Sequence, residues 1–414
     1  MTKSDSPFFN LVPPEEARQL LLSRIPAISD VERLPAGQAM GRVLAADVIS
    51  PQDLPTFRRS TVDGYAVQAA DTFGASDSLP AYLQVVGEIP MGQAAQIDIG
   101  KGQTAEVHTG GMLPDSADAV VMIENTQPAG EHEIEVRRAA APKENVIDVG
   151  EDISSGTPIL RQGHILREQD IGGLLALGIV EVDVVRKPRL AVFSTGDEII
   201  DPAQSPQIGQ IRDINSTTVA ALAAKAGAQA DRLGILPDDF DTIYERVKAA
   251  YDEGYDMLVL SAGSSVSVRD VTAQVFDQLG EPGVLVHGIA TKPGKPTIMG
   301  LAGRVPLMGL PGNPVSAFVQ FVMNGQPILY TLQGTLPPRR LRTQARLSVN
   351  LASVAGREDY VPARLSDDPA GLIAEPIFFK SNLIFKLVEA EGLIRVPLNK
   401  TGLEAGDWAE VILF

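Results

Sequence analysis

Between residues 186 and 332, apolar strand-like runs alternate with amphipathic helical segments, and this alternation constrains the fold more than any other feature. Strands that alternate with helices predict a largely parallel sheet whose two faces are both covered by helices. The predicted strands are RLAVFS (189–194), RLGIL (232–236), DMLVLS (256–261), GVLVHGI (283–289), PTIMGL (296–301) and VPLMGL (305–310). The predicted helices are NSTTVAALAAKAGA (215–228), DDFDTIYERVKAAYDEG (238–254), RDVTAQVFDQLG (269–280) and a helix that begins at Pro314.

The rest of the chain is predicted to be mostly β-structure. Residues 31–185 carry short alternating runs such as AYLQVVGEI and TAEVHT, with frequent Gly and Pro between them. Helical spacing of apolar residues predicts two exceptions, one helix over Glu15–Leu22 and one near Glu168–Leu177. From about Gly334 the sequence returns to strands and turns, which predicts a small C-terminal β domain.

Four predicted strands of the α/β region end in polar loops. In an open α/β sheet, ligands bind in the crevice beyond the carboxyl ends of the strands. Each of these loops combines Gly with hydroxyl, carboxylate or lysine side chains. The candidate binding residues are Ser194, Thr195, Gly263, Ser264, Ser265, Ser267, Lys292, Lys295, Pro311, Asn313 and Pro314. This convergence is the strongest indication of a binding site in the sequence.

Three of these loops suit an anion. Asn313 and Pro314 predict a helix N-cap followed by proline at the first helical position, and the free N–H groups of a helix start attract negative charge. The serines beside Gly263 can donate N–H and hydroxyl groups to a phosphate, and Lys292 and Lys295 can hold their charges against it. The simpler interpretations are a helix start without a ligand, a polar loop and a solvated turn.

Carboxylates recur near the same strand ends. Glu198, Asp238 and Asp270 are candidate ligands of a hard divalent cation such as Mg²⁺, which typically bridges carboxylate and phosphate oxygens. Asp238 and Asp270 each precede a predicted helix, so the simpler interpretation of both is an N-cap. Glu198 follows a Gly turn and is not readily explained as a cap.

The composition narrows the partners and the compartment. With 35 basic and 52 acidic residues, the net charge of −17 disfavours binding to nucleic acid or to an anionic membrane, whereas a local lysine cluster can still bind an anionic substrate. The absence of cysteine excludes disulfides, thiolate metal sites and a cysteine nucleophile. No segment has the pattern of a secretory signal or of a membrane span, so we expect a cytoplasmic protein.

Two polar segments lie outside the predicted α/β sheet. STVDGYA (60–66) places Asp63 among apolar and aromatic neighbours, which predicts a buried carboxylate that needs a partner. HTGGMLP (108–114) is a polar loop before an apolar strand, and two tight turns are the simpler interpretation of both segments. GKGQTA (100–105) matches a loose dinucleotide-binding pattern, but a strand follows it instead of a helix, so we predict a hairpin turn there.

Taken in order along the chain, these segments resemble the molybdopterin molybdenumtransferase family, which includes the E domain of gephyrin. The resemblance runs over nearly the whole sequence. It is carried by STVDGYAV (60–67), HTGGMLPDSADAVVMIE (108–124), GEDI (150–153), STGDE (194–198), RDINST (212–217), the loop 263–270, KPGKP (292–296) and GLPGNPVSA (309–317).

The resemblance implies an elongated, multidomain α/β protein that forms a homodimer. Its centre would be an α/β/α sandwich similar to the molybdopterin adenylyltransferases, with an inserted β domain, an extended linker domain and a C-terminal β-barrel-like domain. The corresponding ranges are 1–26 with 186–332 for the α/β domain, 27–50 with 146–185 for the extended domain, 51–145 for the inserted β domain and 333–414 for the C-terminal domain.

The resemblance also implies an activity: the enzyme would place molybdate on adenylylated molybdopterin and release AMP in a step that depends on Mg²⁺. The catalytic residues carried over by motif are Asp63, Thr109, Asp152, Glu198, Asp238 and Asp270. Of these, Glu198, Asp238 and Asp270 would bind the cation, while Asp63 and Thr109 would approach from the dimer-partner side. The adenylyltransferase and recipient molybdoenzymes are further implied partners.

Two segments depart from the family pattern. The loop Gly263–Ser264–Ser265–Val266–Ser267 carries serines where many members carry glycines, which adds donors but restricts the backbone. Residues 146–149 before GEDI offer no arginine, although the family often has one there. Three alternatives therefore stay open: a tungstate-specific paralogue, a scaffold, and a sensor that binds the pterin or an anion without turnover.

Overall fold

The computed structural model describes residues 11–262, 266–338 and 342–414, with only the backbone described for 266–270. The chain forms two compact units. The first comprises Met1–Ala45, Gly163–Glu168 and Glu181–Phe414, and the second comprises Ala46–Gln162 and Gln169–Val180. Among the described helices, none combines the length and the apolar character needed to cross a membrane.

A six-stranded sheet forms the centre of the first unit. Its strands are β1 (Arg189–Thr195), β2 (Gln229–Leu236), β3 (Met257–Ala262), β4 (Pro282–His287), β5 (Ile298–Ala302) and β6 (Val305–Pro311). They lie in the order β2-β1-β3-β6-β5-β4, and the first four are mutually parallel. Strand β5 is antiparallel to both β6 and β4, so β4 runs in the same direction as the four parallel strands. Five strands therefore end at one edge of the sheet.

Helices cover both faces of this sheet, as the alternating pattern predicts. They are α1 (Pro14–Leu22), α2 (Asn215–Lys225), α3 (Phe240–Asp252), α4 (Val266–Leu279), α5 (Pro314–Gln320) and α6 (Gln326–Leu332), with a π-helical turn at Phe321–Gly325. Successive side chains of a strand point to opposite faces. Accordingly Leu190 and Val192 pack with α1 and α2, whereas Ala191 and Phe193 pack with α3 and α4.

The C-terminal part of the first unit is a closed β-sheet around its own apolar core. Its strands lie in the order Glu358–Asp368, Gly371–Pro376, Arg342–Leu347, Trp408–Leu413 and Gly392–Val396. The last of these pairs with the first, which closes a five-stranded barrel and confirms the barrel-like domain predicted by the resemblance. The short strand Thr291–Lys292, which follows β4, adds to this sheet by parallel pairing with Glu358 and Asp359.

Short strand pairings and a short helix also belong to the first unit. The helix is Phe385–Val388. The paired strands are Val31–Pro35 with Glu181–Val185, Ile199–Ile200 with Ile211–Arg212, and Leu351–Ala352 with Gly402–Leu403.

The second unit contains a six-stranded mixed sheet with apolar residues packed on both faces. Its strands lie in the order Ala119–Met122, Gly64–Val67, Gln103–Val107, Ala81–Glu88, Glu133–Val136 and Thr126–Gly130. Two-stranded pairs join Arg59–Ser60 to Val146–Ile147 and Val48–Ile49 to Pro158–Leu160. Most of the predicted helix near residue 168 also belongs here and spans Glu168–Ala176.

The predicted hairpin at residues 100–105 is wrong. A turn does precede the strand Gln103–Val107, but that strand pairs in parallel with Ala81–Glu88, at Gln84 opposite Gln103. Parallel neighbours need a crossover connection, and residues 89–99 supply it. The local sequence indicates a turn followed by a strand and carries no information about the direction of the partner.

Candidate active site at the carboxyl ends of the central sheet

The strand register brings the predicted loops of the first unit together. Ser194 at the end of β1 is the register partner of Ser261 in β3, and Ser261 is in turn the partner of Leu310 in β6. The segments that follow these strands must therefore leave the sheet side by side. Two adjoining cavities lie at this edge, and both are lined by Asn313.

The smaller cavity has a volume of about 320 Å³ and lies over β1, β3 and β6; we call it the carboxylate cavity. Its lining includes the predicted residues Ser194, Thr195, Glu198, Asn313 and Pro314. The hydroxyl oxygens of Ser194 and Thr195 are buried and have no hydrogen-bond partner within the described part of the chain. Two orphaned hydroxyls at a cavity wall are suited to a polar ligand, because a buried donor without a partner is costly.

Asn215 in α2 links the loops around this cavity. Its side-chain nitrogen donates to Ser261 Oγ at 2.8 Å and to the backbone oxygen of Gly312 at 2.9 Å. Asn215 is buried, and Asp213 before it accepts a hydrogen bond from the hydroxyl of Ser216 at 2.6 Å. The sequence indicated this segment only as the RDINST string, with no role for Asn215. An asparagine at the start of a predicted helix was the available signal for Asn215.

An acidic corner borders the carboxylate cavity. Glu198 is half-buried, and its carboxylate lies so close to Gly196 (φ +146°) that a Cβ there would come within 2.8 Å of Oε2. Burial raises the pKa of Asp238, and the nearby charges of Asp197 and Glu198 raise it further. Oδ1 of Asp238 is also buried without a hydrogen-bond partner among the described residues. The charges of Asp197 and Glu198 therefore act directly on the Asp238 carboxyl.

Neither Asp238 nor Asp270 is the N-cap of a helix, so the simpler interpretation of both residues is wrong. The N-cap of α3 is Asp239, whose carboxylate accepts a hydrogen bond from the Thr242 N–H at 2.9 Å, so Asp238 is not the cap. Helix α4 begins at Val266, which places the backbone of Asp270 inside the helix and not before it.

Five predicted site residues fall wholly or partly outside the described part of the chain. Gly263, Ser264 and Ser265 lie outside the described residues, and the side chains of Ser267 and Asp270 do too. Among the side chains that are described, no three His, Asp or Glu groups form a cluster able to hold a metal ion. The proposed third ligand, Asp270, is not among them.

The larger cavity has a volume of about 680 Å³; we call it the lysine cavity. Its lining includes the predicted residues Lys292, Lys295, Pro311 and Asn313. Asn313 is the N-cap residue of α5 and Pro314 follows at the first helical position, as predicted. The Asn313 side chain makes no capping hydrogen bond.

Two further cations line the lysine cavity and were missed by the sequence analysis. Arg357 and Lys380 both belong to the C-terminal barrel region. Arg357 is held by the buried Asp359, with Nε at 2.9 Å from Oδ1. Arg357 reaches the cavity because Thr291–Lys292 pairs with Glu358 and Asp359, the residues that follow it. Such a pairing between distant segments leaves no local signal in the sequence.

Asp63 and Thr109 lie together in the second unit. Oδ1 of Asp63 accepts hydrogen bonds from the Thr109 N–H at 2.7 Å and from its hydroxyl at 3.1 Å. These two bonds, together with the nearby His108, lower the pKa of Asp63. The prediction that Asp63 is buried is wrong, since its side chain is 60% exposed. Its apolar neighbours in the sequence enter the strand Gly64–Val67, whereas Asp63 itself lies in the preceding turn.

Asp152 also lies in the second unit and is exposed. Its N–H donates to the backbone oxygen of Leu54 at 3.1 Å. The same turn is fixed by Asp53, whose carboxylate accepts from the Ser155 N–H at 2.8 Å. The GEDI segment is therefore an ordered surface turn.

Fold and site together define a class: a multidomain α/β enzyme with a cationic cavity and a carboxylate-bordered cavity at the strand ends of its central sheet. Comparison with known families agrees. The MoeA N-terminal region (domain I and II) matches residues 12–178, the probable molybdopterin binding domain matches 191–331 and the MoeA C-terminal region (domain IV) matches 344–414. The chain belongs to the MoeA family of molybdopterin molybdenumtransferases, which are transferases of molybdenum cofactor biosynthesis.

Individual relatives match over most of their length. Molybdopterin molybdenumtransferase 2 of Mycobacterium tuberculosis is 34% identical over 91% of this chain and 94% of its own. The molybdopterin molybdenumtransferase of Haemophilus influenzae is 35% identical over 84% of each. The crystal structure of the MoeA protein from Pyrococcus horikoshii OT3 superimposes with a TM-score of 0.86 at 32% identity, covering 98% of this chain and 100% of that one. The multidomain α/β fold with a C-terminal barrel that the resemblance implies is therefore confirmed.

Proposed function

We propose that this protein transfers molybdate to adenylylated molybdopterin and releases AMP. The observation that carries the proposal is the pair of cavities that share Asn313. One is lined by lysines and the other by buried hydroxyls and a carboxylate, so a ligand that spans both can present phosphate to one and polar pterin groups to the other.

The lysine cavity would hold the phosphates. Lys292 and Lys295 present ammonium groups, and Arg357 adds a guanidinium that can contact two oxygens at once. The helix start at Asn313 and Pro314 contributes a partial positive charge at the boundary of the two cavities. The orphaned hydroxyls of the carboxylate cavity, with Asn215 behind them, would bind polar edges of the pterin, and the loop 263–267 would assist there.

The acidic corner fits a divalent cation. Asp238 has a buried oxygen without a partner, and its pKa is raised by burial and by the charges of Asp197 and Glu198. A bound cation would offset the charges of Asp197 and Glu198 that act on Asp238. Glu198, Asp238 and, by motif, Asp270 would hold Mg²⁺, which when bound supplies positive charge for phosphate oxygens and favours deprotonation of water.

The chemistry proposed at the site is a hydrolysis followed by transfer. A water oxygen forms a bond to one phosphorus of the phosphoanhydride, the bridging P–O bond breaks, and AMP leaves while the pterin keeps its terminal phosphate. Lys292 and Lys295 stabilise the charge that develops on the phosphate oxygens. The carboxylates orient the attacking water and accept its proton. Molybdate is the co-substrate: its metal forms bonds to the two dithiolene sulfurs, and one oxo group leaves as water with the two thiol protons.

The residues of the second unit would act in a homodimer. Asp63 and Thr109 form a preorganised hydrogen-bonded pair, and we propose that they close the molybdate pocket from the second copy of the chain, with Asp152 near them. The four-part domain division stated above, a cytoplasmic location, docking of the adenylyltransferase and delivery to recipient molybdoenzymes belong to the same proposal.

The test is AMP release by the purified protein from adenylylated molybdopterin with Mg²⁺, with molybdate and tungstate supplied separately and in competition. We expect AMP to appear only when an oxyanion is present, and molybdate to be preferred. Binding of the pterin without AMP release would contradict the transferase and support a sensor. Preference for tungstate would identify a tungsten-specific enzyme.

A further inference from the structure

Beneath the lysine cavity lies a buried chain of two amide side chains. Gln320 is the last residue of α5 and Asn324 lies in the π-helical turn that follows, and both are at most 2% exposed. The Asn324 side-chain nitrogen donates to Gln320 Oε1 at 2.9 Å, and Gln320 Nε2 donates to the backbone oxygen of Pro293 at 2.9 Å. The chain of amides thus ends on the loop that carries Lys292 and Lys295.

This loop is fixed at three successive carbonyl oxygens. The oxygen of Pro293 accepts from Gln320, that of Gly294 accepts from the Thr297 hydroxyl at 2.7 Å, and that of Lys295 accepts from the Ile289 N–H at 2.9 Å. The Thr297 and Ile289 bonds lie within the connection between β4 and β5. The bond from Gln320 comes from α5, whose N-cap residue Asn313 lies on another wall of the same cavity.

Close packing supports the same contact. Gly294 has φ +101°, and a Cβ on it would lie 2.3 Å from Cγ of Gln320, so the glutamine side chain lies directly against the bare Cα of the loop. The amide orientation of Gln320 is also determined. Because the Pro293 carbonyl oxygen can only accept, Nε2 must face it, which leaves Oε1 to accept from the Asn324 side-chain nitrogen. π-helical turns within helices often occur at functional sites, and here the turn carries Asn324.

We propose that Gln320, oriented by Asn324, is a positioning residue that sets the reach of the Lys292 and Lys295 ammonium groups relative to the start of α5. It contacts no cavity ligand itself, and it acts by holding the main chain between the two lysines. The inference rests on the proposed function, because that function makes the lysines phosphate ligands. A shift of the loop would loosen the phosphate contacts while the fold persists.

A matched pair of substitutions separates positioning from stability. Gln333 is a second buried glutamine of the same unit. Its Nε2 donates to the backbone oxygens of Ala226 and Leu329, both at 2.9 Å, and its side chain packs against Gly227, which also has positive φ. Gln333 lines neither cavity. Gln320→Met and Gln333→Met thus remove similar buried bonds, and only the first releases the lysine loop.

The experiment measures the dissociation constants of AMP and of molybdate by calorimetry on the full chain, together with the melting temperature. We expect both variants to melt earlier, and only Gln320→Met to weaken AMP binding, by about tenfold, the scale of one lost charge-assisted contact. In a Lys292→Ala/Lys295→Ala background, Gln320→Met should cause no further loss, since residues that act through one another are not additive.

Three results would overturn the inference: wild-type affinity in Gln320→Met, equal weakening in Gln333→Met, or no binding of AMP or molybdate by the wild type. Should Gln320→Met fail to fold, Asn324→Leu, which removes only the group that orients Gln320, must weaken AMP binding in the same direction. Failure of the proposed function is a separate result. It would appear as absent AMP release in the wild type even though AMP binding responds to the variants as expected.

Discussion

The lysine loop of the first unit and the Asp63 pair of the second unit are built in different ways. The loop 292–295 exposes two lysines, but its carbonyl oxygens accept hydrogen bonds from the buried Gln320 and from Thr297 and Ile289 of the same connection. Asp63 is exposed, and its carboxylate accepts hydrogen bonds from Thr109 in a neighbouring turn, with His108 close by. The first arrangement depends on the interior of the protein and the second on a local surface contact. Substitutions in the two regions should therefore separate phosphate binding by the lysines from closure of the molybdate pocket by Asp63.

The largest effect is expected from Lys292→Ala combined with Lys295→Ala. Each ammonium group supplies a charge-assisted contact worth about 1.5–3 kcal/mol, so kcat/KM for AMP release should fall about a thousandfold. Circular dichroism and the melting temperature should stay close to wild type, because both side chains are exposed. Activity within tenfold of wild type would remove the lysine cavity from the site.

For Asp238→Asn, kcat/KM for AMP release should fall about a hundredfold, which is typical of a disturbed metal site. The stability of this variant should rise although its activity falls. Since the pKa of Asp238 is raised in the folded state, the wild type loses stability as the pH rises from the ordinary carboxyl pKa through the folded one. Asp238→Asn escapes that loss, so it should melt later than the wild type at neutral pH and equally below the ordinary carboxyl pKa.

Added Mg²⁺ provides the control for that prediction. A cation that binds only the folded state raises the melting temperature, and this shift should be present in the wild type and reduced in Asp238→Asn. An equal shift in both proteins would place the cation away from Asp238.

Asp63→Ala should reduce activity about tenfold, the effect of one lost hydrogen-bonded contact, without changing stability. If the second copy of a homodimer supplies Asp63, mixing this variant with the double lysine variant restores intact sites. Half of the randomly mixed dimers then carry one intact site of two, so activity should recover to about a quarter of wild type. No recovery above the average of the two variants would contradict the shared site.

The smallest effect on activity is expected from Asp239→Ala, the neighbour of Asp238. Loss of the N-cap bond to Thr242 should lower the free energy of unfolding by about 1 kcal/mol, measured by urea denaturation. The kcat/KM for AMP release should remain unchanged. A loss of activity as large as that of Asp238→Asn would mean that the loop before α3 acts as a whole and that Asp238 has no specific role.

The sequence could predict the central sheet because its strands are buried on both faces and its helices are amphipathic. The strand-end rule then placed Ser194, Lys292, Lys295 and Asn313 correctly around adjoining cavities, since five strands end at one edge. The rule needs only the order of the elements and not their contacts.

Other features depend on contacts that the local sequence does not encode. Arg357 reaches the lysine cavity through a two-residue pairing between segments far apart in the chain. The parallel partner of Gln103–Val107 is likewise set by the crossover and not by the turn. Of the adjacent residues Asp238 and Asp239, only Asp239 caps α3, so the role of each depends on where the helix starts to within one residue. Sequence-based prediction of helix ends is less accurate than that.

The most direct test of the site is a crystal structure of the protein soaked with adenylylated molybdopterin and tungstate, with the metal located by anomalous scattering. The two cavities predict phosphate density within hydrogen-bonding distance of Lys292 and Lys295, with the pterin extending past Asn313 towards Ser194 and Thr195. Density for the same ligand on a face that none of these residues lines would contradict the proposed site.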